Sequence, residues 1–408
     1  MIKSLIQLVV GNGLVQILAF IAAPFITRYY GADVVGAFGL VAAVSAFLVP
    51  ISTLRLELSL PSEKDDTVAK CIFSTAISLS IFSFFLFFLL YSISSFFVSE
   101  SIKFNAIIFS PFWVLVLSIN QIFSYWFVRN GQFNVIAKSN LIRGLLQNTT
   151  IFIPLVFFVS FSAFMWAKII SAIMVCIWLF IQIKGSIDFK DLFKFEFYVI
   201  TKNKDYTTHG VFQALLNGFG SYLPQFTFAY QYSLATLGQL SMAFFLVQAP
   251  TGLLSQGIRQ VFHKKFADLL FTSVSKLAKF YKYSVLALFT IYFVIVLLYW
   301  LFGRSLIVIY LGEGWIDSFE YSKWLCIWFG MTVINPLPNI VLQIIKKQKI
   351  LTIYEVIYLA TRVICVILFL LFTNAVSIHL VQLLSIIGFL FNCFIITYVY
   401  QILRKNTI

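Results

Sequence analysis

The sequence predicts an all-α integral membrane protein with twelve transmembrane helices in two six-helix lobes. Hydrophobic residues make up 61% of the chain and charged residues only 11%, whereas a soluble domain is about 45–50% apolar and about 25% charged. The apolar residues also form runs of about 20 residues, the length that crosses the hydrocarbon of a bilayer as a helix. These observations predict a polytopic membrane protein.

Twelve apolar runs between polar breaks have the length of a transmembrane helix. The first run has no small-residue cleavage site and is followed by many others, so we expect it to be retained as a span. The short break at 160–164 is the only separation between the fifth and sixth spans. The predicted spans are 5–27, 34–60, 71–97, 107–128, 135–159, 165–183, 212–230, 237–261, 283–302, 324–345, 350–372 and 378–403.

The longest polar interval, residues 184–210, separates six predicted spans from the other six. We therefore predict an N-terminal six-helix lobe at 1–185, a linker at 186–210 and a C-terminal six-helix lobe at 211–408. An even number of spans returns the chain to its starting side. The two lobes would thus be parallel repeats, with a substrate site in a central cavity near the middle of the membrane.

Glycine and proline recur at matching places in the two predicted lobes. Gly36 and Pro50 lie in the second predicted span, and Gly238 and Pro250 lie in its counterpart, the eighth. Interrupted helices at corresponding positions of two repeats are typical of transporter sites. The alternative is that glycine and proline are simply more frequent in membrane helices than in soluble ones.

Lysine and arginine are concentrated in alternate loops. The loops on one side hold only Arg28, Lys103, Arg304 and Lys323, and the other basic loops, the linker and both ends of the chain fall on the opposite side. Loops rich in lysine and arginine stay in the cytoplasm. We therefore predict that both termini and the linker are cytoplasmic.

The composition gives no indication of a nucleic acid, metal or cofactor. The formal net charge is +14, but its basic residues are scattered in small groups, whereas a nucleic-acid binder gathers them on one face or helix. The five cysteines stand singly in apolar runs, as packing residues do. The three histidines lie far apart, without the spacing of metal ligands.

Six cations lie within or beside predicted spans, where a charge is unfavourable by about 2.5–3.5 kcal/mol at the bilayer centre. Such residues indicate a functional site. Arg362 is the most informative, because it lies about a dozen residues into the eleventh span, near mid-depth at about 1.5 Å per residue. The six cations are Arg28, Arg55, Arg143, Lys168, Arg259 and Arg362.

Two predicted spans carry polar residues at the same helical spacing. Residues three and seven positions apart share a helix face, so each set predicts a polar stripe on the wall of a hydrated cavity. Glu355 is the candidate for a coupling-ion site, and an internal salt bridge with Arg362 is the alternative. The stripes are Glu355, Tyr358 and Arg362 in the eleventh span, and Asn140, Arg143 and Gln147 in the fifth.

Arg55 and Glu57 stand two residues apart near the end of the second predicted span. Residues two apart on a helix face different ways, so we do not expect them to pair with each other. Arg55 is either a cytoplasmic gate or an interfacial anchor, because long arginine side chains reach the headgroups from helix ends. Arg28 is either a gate on the opposite side or a helix cap.

Several motifs resemble those of O-antigen and polysaccharide flippases of the Wzx type, within the group that includes multidrug and toxic-compound extruders. They occur in the family's order along nearly the whole chain. The polar break after the seventh span reads QYSLATLG, without counterparts of Arg28 and Gly31, so no second cation is expected opposite Arg28. The motifs are PFITRYYGADVVGAFG, LRLELSLPSEKDD, YWFVRNGQF, APTGLLSQGIRQVF, LGEGW and PLPNIVLQIIKKQKIL.

The resemblance implies a two-lobed carrier of the MATE-like fold in the bacterial cytoplasmic membrane. Its implied substrate is an undecaprenyl-diphosphate-linked oligosaccharide, moved by alternating access with ion coupling in some members. Its implied partners are membrane lipids, a polysaccharide polymerase and a chain-length regulator. Arginine suits a diphosphate through bidentate hydrogen bonds and a permanent charge. The candidate substrate-binding residues are Arg28, Arg55, Asn140, Arg143, Gln147, Lys168, Arg259, Tyr358 and Arg362.

Three other functions fit the sequence less well than transport of a lipid-linked saccharide. A membrane enzyme of polysaccharide assembly would need acid–base groups in an aqueous loop, yet the longest outward loop, 303–319, offers only Arg304, Glu313 and Asp317. A multidrug exporter on the same fold would want acidic groups for cationic drugs, whereas the intramembrane charges are mostly basic. A scaffold without transport would not explain polar stripes at mid-depth. We therefore expect a transporter and no enzyme activity.

Overall fold

The computed structural model describes residues 2–97, 102–154, 159–183, 193–345, 347–372 and 376–405. These residues form helices joined by short turns, and no strand occurs among them, so the predicted all-α class is confirmed. Part of the predicted linker, 186–192, and Lys346 of the motif PLPNIVLQIIKKQKIL lie outside the described residues. The α-helices are α1 (Ile2–Ser52), α2 (Asp66–Ser95), α3 (Ile102–Ile107), α4 (Phe109–Arg129), α5 (Phe133–Thr149), α6 (Phe161–Ile183), α7 (Phe197–Lys202), α8 (Val211–Gln231), α9 (Leu234–Thr272), α10 (Val274–Leu311), α11 (Ile316–Ile334), α12 (Pro336–Ile344), α13 (Gln348–Phe372) and α14 (Ser377–Lys405).

Nine helical segments in the described part of the chain are long and apolar enough to cross a membrane. One of them, Gly13–Ser52 of α1, overlaps the first two predicted spans, and its helical backbone is interrupted at Gly31 (φ 74°, ψ 177°), inside the predicted polar break. The predicted fifth and seventh spans correspond to α5 and α8, which are not among the nine. The total of twelve spans stays a prediction.

The second predicted span ends earlier than expected. The helix stops at Ser52, and Leu54 (φ 49°) and Arg55 (φ 55°) follow in the left-handed conformation, which commonly ends helices. A 3₁₀ segment, Leu56–Ser62, then leads to α2. Residues 53–60 are therefore a folded connection and not the last turns of a span.

Contacts between Cα atoms divide the chain into two units. Unit 1 contains Met1–Ala229 and Ser233–Gly238, and unit 2 contains Tyr230–Tyr232 and Gln239–Ile408. Helix α8 belongs to unit 1 as far as Ala229, and its Phe219 and Phe226 pack there against Phe47 of α1. This division falls later than the predicted lobe boundary at residues 186–210, which stays a prediction.

In unit 1, α4 packs against α1, α2 and α6, and α5 packs against α1 and α6. Leu56 and Leu60 of the 3₁₀ segment are fully buried with Ile72 and Phe73 of α2 in the main hydrophobic cluster. The end of α1 is fixed to α4 by a hydrogen bond of 2.6 Å between the Ser52 and Ser118 hydroxyls. These contacts set the position of the connection at residues 53–60.

Gly36 and Gly238, which hold matching places in the two predicted lobes, touch each other within unit 1. A Cβ atom on Gly36 would overlap the Leu234 carbonyl oxygen, and a Cβ atom on Gly238 would overlap the Ala32 carbonyl oxygen. Each glycine thus faces the residue four positions before the other. At this crossing α1 and the start of α9 approach so closely that only glycine fits.

In unit 2, α14 packs against α10, α11, α12 and α13. Two glycines admit aromatic rings to this core, since a Cβ atom on Gly330 would overlap the Tyr292 ring and one on Gly388 would overlap Trp328. The LGEGW turn after α10 is held by Gln239, whose Nε2 donates to the Gly314 carbonyl oxygen over 2.7 Å. This motif therefore has a structural role in unit 2.

Candidate functional site

A cavity of about 780 Å³ opens within unit 1, and α1, α4, α5 and α8 contribute to its walls together with the connection at residues 53–60. We call it the unit 1 cavity. Its lining combines apolar side chains with two arginines, one glutamate and several amides. The charged and amide residues that line it are Arg55, Glu57, Asn120, Gln121, Asn140, Arg143 and Asn217.

Arg55 reaches the cavity because its backbone is left-handed. Leu54 and Arg55 both have positive φ, which is unfavourable by about 1–2 kcal/mol for each non-glycine residue. The Thr53 hydroxyl supports the turn by accepting from the Arg55 amide over 3.1 Å. The Arg55 guanidinium donates from Nη1 to the Gly210 carbonyl oxygen over 3.1 Å. Strain of this kind is typical of functional sites.

Arg143 lies on α5 and is held by two neutral amides. Its Nη2 donates to Asn140 Oδ1 over 3.2 Å, and its Nη1 is 3.5 Å from Asn120 Oδ1. Within the described residues neither Arg143 nor Arg55 forms an ion pair with a carboxylate. A site of low dielectric with two such guanidiniums favours an anionic ligand.

Glu57 lines the same cavity and was not among the predicted site residues. Its side chain is 1% exposed, and its Oε1 accepts from Gln121 Nε2 over 2.9 Å. Its Oε2 has no hydrogen bond of ordinary length to the described residues. Burial raises the pKa of the Glu57 carboxyl, and the Thr53 hydroxyl, the Glu57 amide and the positive charge of Arg55 offset part of that rise.

Arg55 and Glu57 share a cavity because the chain between them is not an α-helix. Arg55 is left-handed and Glu57 lies in the 3₁₀ segment, so the rule for residues two apart on an α-helix does not apply. The sequence signal that could have identified Glu57 was a carboxylate in an apolar stretch two residues from an intramembrane arginine. The motif LRLELSLP thus supplies one cation and one carboxyl group to the site.

Lys168 and Gln147 do not line the unit 1 cavity. Lys168 is 7% exposed, and its Nζ donates to the Gln147 carbonyl oxygen over 2.9 Å. Its ammonium also lies 5.7 Å and 5.5 Å from the ring centroids of Phe38 and Phe164. Because Gln147 is in the last turn of α5, this contact caps that helix. Lys168 connects the end of α5 to α6 in unit 1.

In unit 2, Arg362 lies between two aromatic rings. Its guanidinium carbon is 4.6 Å from the Trp328 ring centroid and 5.3 Å from that of Tyr358, and the residue is 3% exposed. The Tyr358 ring in turn packs against Phe391 of α14, at 5.0 Å between centroids. Glu355, one turn before Tyr358 on α13, is exposed. Substrate binding by Arg362 and Tyr358 and ion coupling by Glu355 stay predictions.

The two remaining predicted cations are exposed. Arg28 lies three residues before Gly31 in α1, and Arg259 lies in α9. Neither is among the residues that line the unit 1 cavity. Of the nine predicted substrate-binding residues, the structure brings Arg55, Asn140 and Arg143 together.

Two ion pairs lie next to the connection at residues 53–60, and we call this part of the molecule the polar end of unit 1. Lys202 of α7 pairs with Glu63 at 2.8 Å, and Arg129 at the end of α4 pairs with Asp66 at 2.7 Å. Arg129 Nε also donates to the Glu63 carbonyl oxygen. The hydrogen bond from Lys202 lowers the pKa of the Glu63 carboxyl and raises that of the lysine. The SEKDD and WFVRNG motifs therefore anchor the connection that carries Arg55 and Glu57.

Comparison with known proteins supports both the fold and the family. A Lipid II flippase, MurJ, in an inward closed conformation is 13% identical, with 98% of this chain and 90% of that chain covered and a TM-score of 0.76. An inward-facing multidrug resistance MATE family transporter of the MOP superfamily is 14% identical, with 96% of each chain covered and a TM-score of 0.71. An outward-facing transporter of that family is 14% identical, with 99% and 96% covered and a TM-score of 0.60.

At these identities the solved structures show that the MATE-like fold is shared. The sequence matches no curated protein significantly. Residues 1–262 match the family model described as "Polysaccharide biosynthesis protein", which covers more than half of the chain. The protein is therefore a member of the polysaccharide biosynthesis protein family, with the fold of MOP-superfamily transporters.

Proposed function

We propose that this protein is a flippase that moves an undecaprenyl-diphosphate-linked oligosaccharide, an O-antigen or capsule repeat unit, across the bacterial cytoplasmic membrane by alternating access. Membership of the polysaccharide biosynthesis family and the fold shared with a Lipid II flippase support a lipid-linked saccharide as the substrate. The observation that carries the proposal is the pair Arg55 and Arg143. Both arginines line one cavity, and the oxygen atoms that accept their hydrogen bonds are uncharged.

A diphosphate is the part of such a substrate that most needs help from the protein in crossing the hydrocarbon. Two opposite unit charges 4 Å apart attract by about 4 kcal/mol at an effective dielectric constant of about 20. Guanidinium groups add bidentate hydrogen bonds. Because the acceptors of Arg55 and Arg143 are carbonyl and amide oxygens, an incoming diphosphate would not have to displace a carboxylate from either arginine.

Glu57 supplies a group in this cavity that can change its charge. When its carboxyl is protonated the cavity is more positive, and when it loses the proton the carboxylate repels a bound anion. Its burial and the raised pKa support proton uptake at a pH above the ordinary carboxyl range. In the proposed cycle Glu57 couples proton movement to binding and release of the diphosphate, beside the role predicted for Glu355.

A multidrug exporter is the competing function, because solved MATE transporters share the fold. A cationic drug needs acidic partners, whereas the unit 1 cavity presents two arginines and one glutamate. This charge balance favours an anionic substrate. An exporter would raise resistance of the cell to cationic dyes, and we expect expression of this protein to leave that resistance unchanged.

Surface polysaccharide in a strain that lacks its own flippase tests the proposal. Expression of the protein should restore export when the matching repeat unit is made. We expect Arg143→Ala and Arg55→Ala to abolish most of this export, and Arg143→Lys to retain part of it, since lysine keeps the charge but not the planar fork. Arg259→Ala is the matched control, because Arg259 is exposed and does not line the cavity. Normal export by the Arg55 and Arg143 variants at equal membrane levels would contradict the proposal.

The distribution of basic loops supports cytoplasmic termini and a cytoplasmic linker, and with them access to repeat units assembled inside the cell. A polysaccharide polymerase and a chain-length regulator would act on the product. Labelling of a Lys204→Cys protein with a membrane-impermeant maleimide tests the orientation, because Lys204 is exposed. We expect labelling in inverted vesicles and none in intact cells, and the opposite result would refute the orientation.

A further inference from the structure

An aromatic patch lies outside all the candidate membrane spans of the described chain. The segment before and within α7 reads FKFEFY at residues 193–198. Phe195 and Phe197 are 50% and 67% exposed, and we call these two residues the linker patch. Both rings are exposed on unit 1 among the residues that the structure describes, so the patch is open to an apolar partner.

Contacts with α2 fix the depth of this segment. The Glu196 amide donates to Thr75 Oγ1 over 3.2 Å, and Val199 is fully buried in the core cluster with Ile72 and Phe73. Thr75 is nine residues beyond Asp66, the first residue of α2, which is about 14 Å along the helix at about 1.5 Å per residue. The linker segment therefore lies well inside the end of a spanning helix.

The charge pattern of α2 indicates that Thr75, and with it the linker segment, lies at the membrane boundary. Lys70 is the last charged residue of α2, and residues 71–95 carry no charge. Thr75 is thus about 7 Å deeper than the last charge at about 1.5 Å per residue. Interfacial segments bury their apolar face about 5–10 Å into the boundary between headgroups and acyl chains. Exposed phenyl rings at this level of a spanning helix would contact lipid and not water.

Polar residues beside the linker patch match the headgroup side of such a boundary. Lys194 and Lys204 are exposed, and Lys194 also forms an ion pair of 3.6 Å with Glu196. Lys202 pairs with Glu63 and so joins the segment to the polar end of unit 1. Lysine stems lie along apolar surface while their charges reach the headgroups. The segment is therefore amphipathic across the membrane boundary.

We propose that the linker patch is an interfacial anchor, inserted among the lipids of the leaflet at the amino-terminal end of α2. From this anchor the chain continues to Gly210, whose carbonyl oxygen accepts from the Arg55 guanidinium. The anchor thereby ties the position of an arginine in the unit 1 cavity to the membrane surface. The inference concerns an interaction with lipid, and it stands whether or not the transported substrate is the proposed one.

Fluorescence quenching in vesicles tests the anchor. A full-length protein with its five cysteines replaced by serine receives Phe195→Cys, is labelled with bimane and is reconstituted into phosphatidylethanolamine and phosphatidylglycerol vesicles. The quenchers are lipids brominated near the carbonyl end or near the methyl end of the acyl chain, and aqueous iodide. Phe85→Cys in the exposed apolar part of α2 is the lipid reference, and Lys204→Cys is the water reference. Phe197→Cys repeats the measurement at a second position of the patch.

We expect bimane at Phe195 and Phe197 to be quenched by brominated lipid, more by bromine near the carbonyl end, and to be protected from iodide relative to Lys204. Emission should be shifted to the blue relative to the Lys204 label. Iodide quenching equal to that at Lys204, with no effect of brominated lipid, would overturn the proposal. Self-quenching that grows with the ratio of protein to lipid would also overturn it, because a second copy would then cover the patch.

Discussion

Replacement of Glu57 by glutamine should stabilise the protein while it impairs transport. The Glu57 side chain is 1% exposed, and its Oε2 has no hydrogen bond of ordinary length within the described structure. Glutamine keeps an oxygen that can accept from Gln121, as Oε1 does now, and removes the buried charge. At a pH above the raised folded pKa of Glu57 we expect a gain in unfolding free energy of about 1.4 kcal/mol for each unit by which burial raises that pKa.

The gain should depend on pH in a defined direction. Because burial raises the pKa of Glu57, the folded state binds its proton more tightly than the unfolded state does. The contribution of this group to stability is therefore greatest at acidic pH, and it falls as the pH rises from about 4.3, the unfolded value, through the raised folded value. The Glu57→Gln protein lacks this ionisation, so its advantage should be largest at alkaline pH and shrink on acidification.

Thermal unfolding of the purified protein in detergent at several pH values measures this effect. Glu63→Gln is the matched control, because Lys202 lowers the pKa of Glu63. The stabilising contribution of Glu63 is present above its unfolded pKa and is lost as the pH falls through the lowered folded value. Equal unfolding temperatures for wild type and Glu57→Gln across the pH range would show that Glu57 is not a buried, destabilising carboxyl group.

Substitutions at three further positions test other parts of the structure. Arg362→Lys should retain part of polysaccharide export, and Arg362→Ala should lose nearly all of it with the protein still inserted. Equal export by wild type and Arg362→Ala at matched membrane levels would show that the charge is not needed. Gly388→Ala should push Trp328 away from Arg362 and lower stability by about 1–3 kcal/mol as overpacking does. It should also reduce export as Arg362→Ala does. Unchanged export would show that Arg362 acts without its contact to the Trp328 ring. Gly238→Ala should overlap the Ala32 carbonyl oxygen and lower the unfolding temperature in detergent, and an unchanged temperature would mean that the helix crossing can adjust.

Helix class and the main helix breaks could be predicted from apolar run length and polar breaks. The interruption at Gly31 falls in the predicted break because glycine tolerates a positive φ. The end of the second span could not be predicted, because Leu54 and Arg55 adopt left-handed backbone that their residue types disfavour. The packing of Leu56 and Leu60 against α2 and the hydrogen bond from the Arg55 amide to the Thr53 hydroxyl maintain that conformation.

Only part of the candidate site could be predicted, because helical spacing shows which residues share a face but not which distant residues they contact. Asn140 and Arg143 share a helix face, and local spacing is sufficient to predict this. Whether a charge faces a cavity or a ring depends on residues far away in the sequence. The ring against Arg362 belongs to Trp328, and the acceptor for Lys168 is a carbonyl oxygen at the end of α5. Helical periodicity contains no information on such partners.

Flipping of a fluorescent undecaprenyl-diphosphate-linked oligosaccharide in vesicles that contain only the purified protein tests the central claim most directly. The claim is that the unit 1 cavity binds the diphosphate through Arg55 and Arg143. We predict that wild type equilibrates the lipid between leaflets, that the doubly substituted Arg55→Ala and Arg143→Ala protein does not, and that Arg259→Ala flips as wild type does. Flipping by the double variant at the wild-type rate would contradict the account.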